Sequence, residues 1–110
     1  MMMMMTDQDR VIFEKPSQAL RYAHKNFKQT SWVYMDEIWG FSADAAIAHL
    51  MYGWNEKDSS SPYADDFKFS REMKKINAKF KETYGGCIGL FNARLYSFEQ
   101  IAEMFERIGY

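Results

Sequence analysis

Three residues of this chain carry side chains suited to catalysis: Cys87, His24 and His49. A thiol becomes a working nucleophile when a base takes its proton and a third group orients that base. Nothing in the spacing brings either histidine to Cys87. The cysteine opens an apolar run and reads as a small buried hydrophobe. Metal chemistry is served no better, since the histidines lie far apart and no His-x-x-x-His, Cys-x-x-Cys or Glu-x-x-His unit occurs. Asp36-Glu37 and Asp65-Asp66 are neighbouring carboxylates that read as solvated. Gly85-Gly86-Cys87-Ile88-Gly89 follows a helix signal, the reverse of the strand–loop–helix order that aims backbone amides at phosphate. No catalytic, cofactor or metal residue is assigned, and the chain reads as a non-enzyme.

Recognition chemistry is better represented. Trp32, Tyr34, Trp39, Phe41, Tyr52, Trp54 and Tyr63 crowd into residues 32–63. Tryptophan and tyrosine bury large areas with few rotors to freeze, which makes them frequent anchors of protein interfaces. Trp32, Tyr34, Trp39, Tyr52, Trp54 and Tyr63 are therefore the candidate partner-binding residues, although most such rings in a small domain simply form core. A second candidate surface is basic. Lys68, Arg71, Lys74, Lys75 and Lys79 recur along one segment with Glu72 as the lone acid, a candidate nucleic-acid contact. Arg21, Lys25 and Lys28 form a shorter stripe of the same kind. The overall charge of −1, from 14 basic and 15 acidic residues, argues against binding driven by net charge.

These residues need elements to hold them. Pro16 is suited to a helix start, and Ala19, Leu20, Ala23 and Phe27 give residues 17–28 an apolar face. Ser42 is a good N-cap for a helix from Ala43 to about Trp54, with Ala46, Ile47, Leu50 and Met51 inward and Asp44 in the first turn. Phe69, Met73, Ile76, Phe80 and Tyr84 mark one face of a third helix, with Ser70 as its expected N-cap and Gly85-Gly86 as its stop. Ser97 and Gln100 form a capping box for a fourth helix, with Tyr96 expected to pack on Ile101 and with Glu99, Glu103 and Glu106 giving an acidic outer face. The 97–108 segment resembles, over about a dozen residues, the first helix of a helix-turn-helix, but no recognition helix follows it before Tyr110.

Val11–Phe13, Trp32–Met35 and Cys87–Phe91 have strand composition. The expected fold is therefore α+β: a mostly helical single domain of about four helices on a small two- to three-stranded sheet. Residues 1–10 are expected to be a disordered tail and 11–110 a globular domain, with an exposed loop near 55–66. No apolar run approaches the length of a membrane span, and one cysteine suits the cytoplasm. The functional expectation is a non-enzymatic protein–protein interaction module, of the small accessory or inhibitory kind common in phages and mobile elements. A homodimer is a related expectation, and the alternative is a nucleic-acid-associated protein using helix 68–81.

Overall fold

The computed structural model describes residues 13–30, 40–57 and 59–110, and the backbone of 35–36. The expected tail 1–10, most of the strand Val11–Phe13, and Trp32, Tyr34 and Trp39 lie outside the described residues. Those described form five helices: α1 Pro16–Asn26, α2 Ala43–Tyr52, α3 Ser70–Tyr84, α4 Ile88–Ala93 and α5 Phe98–Arg107. The chain is mostly helical, and the expected sheet is not seen. The extended pairing among the described residues is a two-residue antiparallel ladder, Met35 opposite Phe41 and Asp36 opposite Gly40, with a single bridge from Gln29 to Phe41.

The main correction concerns Cys87–Phe91, which is helix rather than strand. Its buried positions are Ile88, Phe91 and Asn92, a helical spacing, where a half-buried strand would alternate. An apolar run this short carries no decisive period, so its surroundings settle the conformation. Asn77 of α3 reaches across to accept from the Ile88 amide at 2.9 Å, satisfying one free donor of the new helix. Gly89 of α4 faces Asp44 of α2, where a β-carbon would sit in ordinary contact with the carboxylate at 3.6 Å.

The other helices form where their patterns place them, with altered ends. Lys15 caps α1 in an extended conformation and Pro16 occupies the first turn, where its missing N–H costs nothing. Ser42 accepts from the Ala45 amide at the head of α2, and Gly53, at φ 74°, ends that helix at Tyr52, two residues short of Trp54. Ser70 is inside α3 rather than capping it, since the N-cap is Phe69 and has no side-chain acceptor. The Ser97–Gln100 capping box of α5 is present in full. Gly40 is required by sterics: at φ 96° any β-carbon would collide with the carbonyl of Lys28.

Helix α1 packs most extensively on α5, with α2 on its other side. Leu20, Ile47, Trp54, Met73, Phe80, Ile88, Phe98, Ile101 and Phe105 are completely enclosed. Phe80 joins three helices, its ring lying 4.8 Å from Phe105 of α5 and 5.4 Å from Phe91 of α4. Asn92 holds the polar junction at the centre. Its amide donates to the Thr30 carbonyl at 2.9 Å, and its oxygen accepts from the Ala43 amide at 3.0 Å and from Gln29 at 2.8 Å. Gln29 in turn donates to the Tyr96 carbonyl and accepts from the Phe98 amide, each at 2.8 Å. Two side-chain amides thus fix the entry to α2, the exit of α4 and the start of α5 in one register.

Candidate functional site

The aromatic surface expected from the sequence does not assemble among the described residues. Trp54 is fully buried, with its backbone carbonyl accepting from His49 Nδ1 at 2.7 Å. Tyr52 is half-buried and stacks on Phe69 at 5.0 Å, and its hydroxyl is held protonated to higher pH by burial and then by Glu72. Tyr63 is half-buried and donates to the Asp44 carboxylate. Trp32, Tyr34 and Trp39 lie outside the described residues.

The Asp44–Tyr63 pair is a buried ionisable contact that α2 makes with the loop before α3. Asp44 is only 4% exposed. Burial pushes its carboxyl upward, against the opposing pull of the Tyr63 hydroxyl and its own backbone amide. The segment expected as a loose loop near 55–66 is knitted in the same region. Ser59 donates to Asp66 at 2.7 Å and to the Ser61 carbonyl at 2.9 Å, while Pro62 is enclosed. The pair reads as a fastening for that loop, since no nucleophile or further acid accompanies it. No group of three His, Cys, Asp or Glu residues among the described residues is arranged to hold a metal ion. Cys87 is half-buried at the N-cap of α4 rather than the start of a strand.

The basic candidates do share a surface. Met73, Ile76 and Phe80 point α3 inward, which turns Arg71, Lys74, Lys75 and Lys81 to solvent, with Lys79 at the margin. Lys74 lies 3.4 Å from Asp65, and Lys68 stands over the Phe69 ring at 5.7 Å. A shallow groove of about 540 Å³ opens beside the start of α3. Asp65, Asp66 and Glu72 face Lys68, Arg71 and Lys74 across it. Balanced charge and little apolar lining leave it without the grip a small-molecule site needs.

The shorter basic stripe has a different fate. Arg21 donates from Nε and Nη2 to both oxygens of Glu106, at 2.8 and 2.7 Å, and Glu99 lies 4.0 Å away. This fork raises the guanidinium's proton affinity and holds the Glu106 carboxyl below the usual range, the shared hydrogen bond being the largest cause in each case. His24 also approaches Glu99, at 4.0 Å. The acidic outer face expected for α5 is therefore partly answered from within by α1.

The feature the sequence reading missed is the corner between α4 and α5. Leu95 is 80% exposed and sits at φ 69°, the one non-glycine residue among those described with a left-handed backbone. Leu90 and Tyr96 are each 37% exposed beside it in sequence, and Arg94 is exposed as well. Tyr96 rests edge-on against Phe91 at 5.1 Å. The available signal was the placement of Leu95 two residues before a capping box, where a turn must precede the helix; reading Cys87–Phe91 as strand hid the helix that leads into it.

No helix among the described residues is long and apolar enough to cross a membrane. No protein-family model, curated protein or solved structure matches this chain.

Proposed function

We propose that the chain is a non-enzymatic protein-binding module whose contact surface is the α4–α5 corner. The observation that carries this reading is Leu95. A large apolar side chain is held in water on a left-handed backbone, which costs about 1 kcal/mol or more relative to glycine. Glycine or asparagine would relieve the backbone and remove the exposed leucine together. Strain of this kind is kept where a side chain has to be presented. Leu90 and Tyr96, each 37% exposed, add apolar surface to the same segment, and Arg94 next to Leu95 carries a positive charge.

The partner that fits is a protein offering an apolar recess with an acidic rim, because the leucine and tyrosine would supply the buried centre and Arg94 the polar margin. A reducing cytoplasm suits the single thiol. The test is a photo-crosslinking amino acid placed at position 95, or at Lys25 as a remote control, in cells that make the protein. The expected result is one adduct from position 95 and none from 25. The purified partner should then bind Leu95→Asp at least about tenfold more weakly than wild type, with unchanged circular dichroism. Equal crosslinking from both positions, or equal affinity of the variant, would overturn the reading. An adduct of twice the chain mass would name a second copy and overturn the foreign partner.

A further inference from the structure

We propose that the outward face of α3 binds the phosphate backbone of a nucleic acid, independently of the α4–α5 corner. The helix obeys the dipole preference at Glu72 and Lys81 and departs from it at Arg71. Arg71 lies in the first turn, at the positive end of the helix dipole, where a carboxylate would be favoured. Arg71, Lys75 and Lys79 repeat at intervals of four, so each sits beside a like charge that weakens the helix. Among the described residues Lys74 has an acid within ion-pair reach, at 3.4 Å, while Arg71, Lys75, Lys79 and Lys81 form no ion pair. Glu72, three residues before Lys75, and Glu82, three after Lys79, offset part of this repulsion and leave an excess of cations.

The ligand class follows from what accompanies the charge. Between Arg71 and Lys81 the outward positions carry no large apolar side chain, Ala78 being the exception in polarity only. Protein interfaces are centred on buried aromatic or aliphatic anchors, and this face has none. A regular row of cations instead matches a regular row of phosphates. Arg71 to Lys81 covers about 15 Å of helix axis, enough to meet about three phosphates of one strand. Within α3 five cations, Arg71, Lys74, Lys75, Lys79 and Lys81, outnumber the two acids Glu72 and Glu82, so a net charge of −1 over the chain coexists with a positive helix.

The experiment is fluorescence anisotropy with a labelled DNA duplex of about 20 base pairs, at about 50 and about 200 mM salt. About three phosphate contacts predict affinity falling roughly 20- to 40-fold across that range. The triple variant Arg71→Gln, Lys75→Gln, Lys79→Gln should lose at least about tenfold at low salt and show a shallower salt slope. Lys75→Arg should bind as wild type, as should a Lys15→Gln, Lys25→Gln control and Leu95→Asp. Absence of binding at low salt, equal loss in the α1 control, or unchanged binding by the triple variant would each overturn the assignment. Polyglutamate displacing the duplex at equal charge concentration would point to an acidic protein and overturn it as well.

Discussion

The α1–α5 pair and α3 are built from the same residue types and treat their charges in opposite ways. On α1, Arg21 is forked onto Glu106 with Glu99 close by, so a basic position and an acidic face neutralise each other inside one molecule. On α3, the cations point outward, and among the described residues Lys74 alone of them meets an acid, Asp65, within ion-pair reach. Exposed ion pairs contribute little to stability, so the contrast says little about which helix is better held. It bears on availability: Arg21 has its counter-charges within the molecule, whereas Arg71, Lys75, Lys79 and Lys81 form no ion pair among the described residues.

The contrast holds only if α3 is a firm member of the fold, and the largest expected effect tests that. Phe80→Ala should cost about 3–5 kcal/mol, because the ring is enclosed and touches both α4 and α5. Urea denaturation reads it, and a much smaller cost would mean that α3 is loosely docked. Next is Asn92→Leu, expected to cost about 2 kcal/mol or more, since the Ala43 amide and Gln29 lose a buried acceptor. A single cooperative transition with a lower midpoint would show that the junction ties the two regions together. Two separate transitions would break the comparison into independent units.

A pH series supplies the third test. The folded Asp44 carboxyl keeps its proton to higher pH than the unfolded chain does, since burial disfavours its anion. Stability from this group is therefore fullest below about pH 3.9 and declines as pH rises through the window up to the elevated folded value. Glu106 works the other way, its contribution fading as pH falls through its depressed value. Asp44→Asn keeps an acceptor for Tyr63, and the wild-type-minus-variant curve should isolate the Asp44 decline. A flat difference curve from pH 3 to 8 would remove it.

The smallest effects give the sharpest comparison. Arg71→Glu should stabilise by about 0.5–1 kcal/mol at low salt, by suiting the helix dipole and pairing with Lys74 and Lys75. Arg21→Glu should do the reverse, setting like charges at Glu99 and Glu106. Opposite signs, converging as salt is added, are the expected thermal-melt result. Equal signs would mean that both helices are charged with only their own stability at stake.

Much of the helical layout was legible from the residues. The face Met73–Ile76–Phe80, the Ser42 cap and the Ser97–Gln100 box are local signals, and local chemistry decides them. The sheet was not legible, because Cys87–Phe91 is too short to show a period and takes its conformation from Asn77 and the approach to α2. Of the aromatic candidates, the described residues bear on Tyr52, Trp54 and Tyr63 alone. Ring count along a segment does not say which rings turn inward, and Trp54 turned in completely once Gly53 ended α2. The α3 face was readable because inward apolar spacing fixes the outward side as well.

The backbone at Leu95 has a practical consequence for anyone improving this protein. A library sorted for heat resistance alone would be drawn to Leu95→Gly, which relaxes the turn and removes an oily group from water. If the α4–α5 corner is the contact surface proposed above, such a winner would look better by every biophysical measure while having lost its grip. Position 95 is where selection for toughness and selection for use would part company.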